Sequence, residues 1–496
     1  MVEGKKPDWE RFGRASKASA PEIQELNAWR SSPRSFDVDS YYCQVWIHRA
    51  HVVMLQERGI ITRDEAAAIL RGLKVVEKQA ENDSRLTVYM STETALVKEA
   101  GEVGGKMHTA RSRNDMGHTQ RRLYYRGQTE RLLGAVIEFR ERLMGAAEAN
   151  LESYMPGYTH WRQAQPVTLG HYIMGHVEAA ERTVDRLEGV YRRTDLSPMG
   201  AAAFAGTGWG IDRDRVRELL GFSGLVENTQ DAVAAVDYFM ELSAAVAIHM
   251  NNLSRLAEDL QIWSSDEFRL LDFDEAYAGT SSIMPQKKNP LVLEQVKSYS
   301  SESIGNMVSV VASMKGTAHT HIVDRVLLEP AALDTAVGAT NVMGGLVETL
   351  TPMRDNMLQR LREGYSTMTE LADTLVRLHG VGFRQAHDVV VEVTLAAIRD
   401  GVRSEDITPS MVEEASVKVL GRPLTVQAGE LKAALDPVSN VDRRSLPGGP
   451  APSAVKIMIG NQRKKLAEEK KRRAARMGAL ERAKVKLGEA EKSLLR

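Results

Sequence analysis

The sequence predicts an all-α protein built around a bundle of long helices, and three observations carry that expectation. Alanine, leucine, glutamate, arginine and methionine dominate, residues that lose little on entering a helix, while the β-branched alternation typical of strands is scarce. The prolines gather at loops rather than inside apolar runs. Five stretches, Asn114–Glu152, His171–Arg193, Thr229–Ser264, Leu291–Met314 and Leu333–Gly364, run unbroken well past the roughly 11–12 residues of an average helix.

In chain order, Met1–Arg14 is polar and charged with no apolar centre, so neither a secretory leader nor a membrane anchor is expected there. Arg63–Gln79 places Ala66, Ile69, Leu70, Leu73 and Val76 at three- and four-residue spacing, an amphipathic helix with one face for a core. Within the long stretches, small residues such as Ala234, Ala235, Ala244, Ala245, Gly344 and Gly345 let helices approach closely. Several helices should therefore be covered by more than one neighbour, and association of chains through the bundle is the simplest reason. Glycine, proline and polar residues gather instead at Gly101–Asp115, Tyr154–Pro166 and Ala276–Pro290, where chemistry is expected.

After Gly364 the helices shorten, at Glu370–Leu378 and Phe383–Arg399, and a loop at Leu435–Pro452 interrupts them. That pattern reads as a small C-terminal domain serving as lid or packing. The basic stretch Arg463–Arg496 reads as a solvated helix or frayed tail, with a subunit contact or a weak anionic partner as alternatives. The expected division is an N-terminal helical domain over 1–113, the central bundle over 114–363, the small domain over 364–462 and the charged helical tail over 463–496.

Composition acts mostly by exclusion. A chain of 496 residues allows about three folding units. A formal net charge of -1, with 26% charged and 43% hydrophobic residues, argues against a nucleic-acid partner and against disorder. The lone Cys43 permits no intramolecular disulfide and reads as a small buried hydrophobe, in keeping with a reducing, cytoplasmic setting. The most apolar later stretch, Ala232–Met250, contains Asp237, Glu241 and His249, so no membrane span is expected.

The loops hold the specific signals. GTSSIMPQKKNP, Gly279–Pro290, sets Ser281 and Ser282 beside lysines, with Asn289 and Pro290 read as the cap and first turn of the next helix. Such a place stabilises an anion, whether a carboxylate or an alkoxide. MPGYTHWRQAQPVTLGHY, Met155–Tyr172, carries Thr159 and His160, and GGKMHTARSRND, Gly104–Asp115, carries Ser112, Arg113 and Asn114. Taken singly, His160 or His108 is more often a satisfied polar contact than a catalyst, and Arg113 beside Asn114 more often a surface ion pair.

As strings, the three resemble the motifs of the argininosuccinate lyase family of the fumarase and aspartase superfamily, in the family's order. The likeness runs from about Val38 to Met458 and takes in LADTLVRLHGVGFRQAHDVV, Leu371–Val390. It implies three helical domains, a homotetramer with a twenty-helix core, and four active sites each built from loops of different subunits. The implied partners are the small-molecule substrate and fumarate, and neither a metal nor an organic cofactor is implied. The implied reaction removes a proton beside a carboxylate, passes through an aci-carboxylate and expels a nitrogen leaving group to give fumarate. Carried over by motif, Ser281 would be the base. Lys287 and Asn289, with backbone amides from Ser282 to Met284, would hold the aci-carboxylate. Ser112, Arg113, Asn114 and Thr159 would grip the other carboxylate. His160, paired with Glu294, would orient or protonate the leaving nitrogen. The loop Ala276–Lys288 would be mobile without ligand, since a serine base needs water excluded.

Elsewhere the sequence departs from the family. Ala110 stands where glycine is usual, and Trp161 and Arg162 replace other residues. The segment Lys315–Glu329 has His321 for a tyrosine, Val323 for a lysine and Val326 for a glutamine. An acidic segment becomes Leu86, Thr87, Val88 and Tyr89, and the polar positions of the first helix become Val45 and His48. Fumarate chemistry is thus expected intact and arginine recognition is not. The expected activity is elimination of fumarate from an N-substituted L-aspartate, as in the similar ethylenediamine-disuccinate lyases, running in either direction. Argininosuccinate cleavage is the alternative, and a structural, crystallin-like role a remote one. Succinyl-purine or simple aspartate and malate lyases fit the PQKKNP and RSRND strings less well.

Overall fold

The computed structural model describes residues 38–322 and 330–496. Expectations placed on residues 1–37, and on Val323 and Val326, fall outside them. The first layer is α1 (Val38–Glu57), α2 (Arg63–Ala80) and α3 (Tyr89–Ala100). Helix α2 starts at a capping box in which Thr62 Oγ1 accepts from the Glu65 N–H at 3.3 Å and Glu65 Oε2 accepts from the Thr62 N–H at 2.8 Å. The apolar face read from its spacing, Ala66, Ile69, Leu70, Leu73 and Val76, is buried against Ile47, Val53 and Leu55 of α1.

The bundle follows: α4 (Arg113–Ala149), a hairpin of β1 (Tyr154–Thr159) and β2 (Arg162–Thr168), α5 (Leu169–Thr194), two short helices α6 (Arg213–Leu219) and α7 (Thr229–Ala234), then α8 (Asp237–Trp263), α9 (Leu291–Met314) and α10 (Pro330–Glu348). Helix α4 lies along α5 and α10, α5 along α8, and α8 along α9. Leu132 and Val136 of α4, Val177 and Val184 of α5, Leu242 and Met250 of α8 and Met343 of α10 meet fully buried. Each such side chain contributes about 1.5–3 kcal/mol by leaving water.

Two of the long stretches are broken. Thr229–Ser264 leaves the helix at Ala235 and Val236, where Val236 has φ -137° and ψ 0°. Leu333–Gly364 is interrupted because Thr351–Pro352 pairs with Leu271–Asp272 as a short antiparallel bridge, and Pro352 has no N–H with which to continue a helix.

Helix α11 (Arg354–Glu363) still packs Met357 into the bundle core; the small domain is α12 (Met368–His379), α13 (Phe383–Arg399), α14 (Pro409–Leu420), α15 (Ala428–Leu435) and α16 (Pro437–Arg443), with its own core of Leu371, Leu375, Val389, Val393 and Leu431. Helix α16 lies inside the stretch read as a loop, started by Asp436, whose carboxylate accepts from the Ser439 N–H at 2.8 Å.

The tail differs most from expectation. Pro452–Leu495 is one 44-residue helix, α17, lying along α4, α5, α2 and α1 of its own chain rather than fraying. Its basic residues meet the acidic faces beneath: Arg472 donates to Glu188 at 2.9 Å and Arg476 pairs with Glu130. Leu466, Ala483, Leu487 and Leu494 are buried below the charges. Among the described residues no helix is long and apolar enough to cross a membrane.

Candidate active site

The first motif starts α4. Ser112 is its N-cap: Ser112 Oγ accepts from the Asn114 N–H at 3.3 Å, and Asp115 Oδ1 accepts from the Ser112 N–H at 2.9 Å. The other oxygen of Asp115 accepts from the Gly200 and Ala202 N–H groups at 3.1 and 2.9 Å, and Asn114 Nδ2 donates to the Ala203 carbonyl at 2.9 Å. Sequence reasoning missed this 199–206 loop. Its signal is the glycine-bracketed run of alanines, and Gly200, Ala202 and Gly206 all take positive φ. The buried Asp115 carboxyl is pushed up to about 6 by burial, against the opposing effect of its backbone donors. Arg113 is exposed on the first turn, where a helix N-terminus favours an anion.

Behind that turn sits a buried basic and aromatic cluster. Arg111 Nη1 donates to His48 Nδ1 at 3.1 Å, so the His48 proton is on Nε2, which has no partner. Nε and Nη2 of Arg111 also lack partners, and the guanidinium lies 5.9 Å from the Tyr89 ring centroid. Tyr89 Oη bonds His108 Nδ1, and the carboxylate of the cluster, Glu93, lies 3.6 Å from the same nitrogen. Burial and the Arg111 charge hold His48 well below the usual histidine range. His321, reached from the far end of α9, has Nδ1 3.4 Å from Nε2 of the buried His118 on α4. Ser112, Arg113, Asn114 and His321 thus share one end of the bundle.

Thr159 and His160 lie at the other end. Thr159 pairs with Arg162 across the hairpin, leaving His160 and Trp161 as a two-residue turn with φ +52° and +58°. A tight hairpin of that kind needs positive φ at both positions and normally takes asparagine and glycine. Large side chains there store strain, and His160 is held exposed at the tip.

The third loop is a small hairpin in which Gly279–Thr280 pairs with Lys288–Asn289. Ser281 Oγ accepts from the Met284 N–H at 3.0 Å and the Ile283 N–H at 3.4 Å, donors that favour a negative oxygen. Lys288 anchors the base of the loop on Asp272 at 2.8 Å, while Ser282, Met284 and Lys287 stay exposed. Helix α9 begins at Leu291 with Pro290 as cap and no side-chain capping bond, so Asn289 does not serve as the cap expected of it. Glu294 is exposed on the first turn.

Length decides what one chain can bring together. Helix α4 has 37 residues and spans roughly 55 Å at about 1.5 Å per residue, with Ser112 before its start and the hairpin after its end. Lys297 pairs with Glu258 at 2.6 Å, which sets the start of α9, and with it the Ser281 loop, against the end of α8. Tyr158 meets Trp263 there, so the hairpin and the Ser281 loop are at the same end. A single chain therefore holds Ser112, Arg113, Asn114 and His321 a bundle's length from Thr159, His160, Ser281, Lys287, Asn289 and Glu294.

With that geometry in place, comparison with known proteins adds three results. Residues 43–305 match the family model described as lyase, and residues 365–442 the one described as argininosuccinate lyase C-terminal. The argininosuccinate lyase of Methanothrix thermoacetophila is 38% identical over 458 residues, covering 90% of this chain and 93% of that protein. Among solved structures, an EDDS lyase variant with bound fumarate superposes with TM-score 0.91 at 41% identity, covering 99% of this chain and 98% of that one. A class II fumarase from Schistosoma mansoni, at 16% identity and TM-score 0.67 with 86% and 96% covered, shares the fold.

Proposed function

The chain belongs to the argininosuccinate lyase family of carbon–nitrogen lyases, which eliminate fumarate, and from that premise we propose that its substrate is an N-substituted L-aspartate whose amine half is not arginine. The observation that carries this is the cluster behind Ser112. Where a guanidinium substrate would need acidic and neutral acceptors, the positions that depart from the family pattern hold His48, whose Nε2–H has no partner, and Tyr89, which is bonded to His108. Glu93 is already engaged by His108. A substrate guanidinium left without a carboxylate of its own in a buried site costs on the order of 3–5 kcal/mol. The likeness to EDDS lyase over nearly the whole chain supports the same reading. The argininosuccinate lyases among its relatives favour the second reading, cleavage of argininosuccinate itself.

In the proposed mechanism Ser281 removes the proton beside the carboxylate that becomes the aci-anion. The Ile283 and Met284 N–H groups lower the cost of a negative Ser281 oxygen. Lys287 and Asn289 hold the aci-carboxylate, with backbone amides from Ser282 to Met284. Ser112, Arg113, Asn114 and Thr159 hold the other carboxylate, and His321 faces the amine half. His160, with Glu294, serves the leaving nitrogen, and closure of Ala276–Lys288 excludes water. Because α4 separates these groups by a bundle's length, each site would draw its loops from different copies, in a homotetramer. The proposed domains, 1–113, 114–363 and 364–462 with the tail 463–496, are supported by the separate core of the small domain.

The test is fumarate absorbance from argininosuccinate and from a panel of N-substituted aspartates including ethylenediamine disuccinate, with Ser281→Ala as control. Ser281-dependent release from a panel member and none from argininosuccinate is expected. Rapid turnover of argininosuccinate would overturn the proposal in favour of the second reading.

A further inference from the structure

Beneath the hairpin lies a cavity of about 280 Å³ of which the proposed chemistry uses only His160. Its walls include the rings of Tyr158, Trp161, Tyr172 and Trp263, and the carboxylate of Asp259, with His160 at the rim. Tyr172 donates to Asp259 Oδ2 at 2.7 Å. Since the hydroxyl has one proton to give, its 3.0 Å contact with His176 must be a bond donated by His176 Nε2–H. Burial holds His176 down to about 4, so it is neutral at neutral pH and supplies no countercharge. Among the described residues Asp259 makes no direct ion pair: Arg255, one turn earlier, favours its charged form from a distance without contacting it, and Lys297 is taken by the neighbouring Glu258 at 2.6 Å.

A half-buried carboxylate with no cation in direct contact, Arg255 acting on it only from beyond ion-pair distance, and walled by aromatic rings, complements a cation that carries its own carbon surface. One carboxylate and no group of metal ligands among the described residues do not suit a metal ion. The volume sits at the small end of ligand cavities. We propose that this cavity binds a small organic ammonium ion, its charge against Asp259 and its methyl or methylene groups against Trp161, Tyr158, Tyr172 and Trp263. Carbon–nitrogen elimination releases an amine, so the occupant is either that product or a separate amine. Because His160 and Trp161 form the strained turn above the cavity, occupancy would fix the turn that presents His160.

The experiment is calorimetric titration of the full-length protein with tetramethylammonium, and with tert-butanol as a neutral probe of similar shape. Saturable binding of tetramethylammonium at one site per chain is expected, with tert-butanol at least about tenfold weaker. Asp259→Asn and, at the exposed turn, Trp161→Leu should each weaken it about tenfold or more. Trp161→Leu keeps the test decisive should Asp259→Asn fail to fold. Competition by the amine of whichever N-substituted aspartate the enzyme is found to cleave, such as ethylenediamine, would mark the occupant as product, and lack of such competition would mark it as a separate amine. Absence of saturable binding, or binding untouched by Trp161→Leu, would overturn the proposal.

Discussion

Nη1 of Arg140, in the middle of the central helix α4, lies 2.5 Å from Oε2 of Glu469 on the C-terminal helix, 329 residues later in the chain. Arg140 is fully buried, and its remaining partners, Gln462 and Glu181, leave Glu469 as the closest countercharge. Removing one member of a buried pair leaves the other charged and unmatched. Glu469→Ala should therefore destabilise the protein by roughly 3–5 kcal/mol, and Glu469→Gln by less, since an amide still accepts. Urea midpoints of the two variants check this. A loss below about 1 kcal/mol for Glu469→Ala would mean that the C-terminal helix is an accessory.

Ala110 adopts φ +62° immediately before Arg111 and Ser112. An alanine in that region carries a steric cost of about 1–2 kcal/mol, partly offset by the greater freedom of glycine in the unfolded chain. Ala110→Gly should raise stability by up to about 1 kcal/mol in a denaturation experiment. A loss of stability would mean that the Ala110 methyl packs well enough to outweigh its backbone strain.

Much of this was legible in the sequence because it is local. The spacing from Ala66 to Val76 and the extent of Leu291–Met314 are properties of a few adjacent turns, and the structure carries both. What the sequence hid depends on partners far away in the chain. The break after Glu348 is set by pairing of Pro352 with Leu271, and the docking of the tail by Glu130, Glu181 and Glu188, acidic residues that read alone as solvated. The motif loops marked Ser281, His160 and Arg113 as candidates by their strings. The 199–206 loop that braces Asp115, and the His48–Arg111 pair, gave no local signal of their partners.

At the hairpin, stability and activity should part. Trp161→Gly relieves a positive φ and is expected to stabilise the hairpin by about 1 kcal/mol. His160→Asn suits the same turn but removes the imidazole, so fumarate release should fall by about two orders of magnitude or more while folding is unharmed. Parallel thermal melts and absorbance assays separate the two effects. Undiminished activity in His160→Asn would remove His160 from the mechanism.

Asp115 offers a pH test of the first motif. Burial raises its carboxyl from 3.8 to about 6 in the folded state, so well below pH 3.8 it is protonated in both states and its favourable contribution is fully present. As pH rises from 4 through 6 the unfolded chain ionises first, and the folded protein loses about 3 kcal/mol of stability from this group. Asp115→Asn cannot titrate. The stability of wild type relative to Asp115→Asn, followed by denaturation from pH 4 to 7, should therefore decline by about that amount. A rising difference would mean that the N–H groups of Ser112, Gly200 and Ala202 favour the carboxylate more than burial opposes it. In that case the brace under Arg113 and Asn114, the residues proposed to grip a substrate carboxylate, would be tightest at neutral pH.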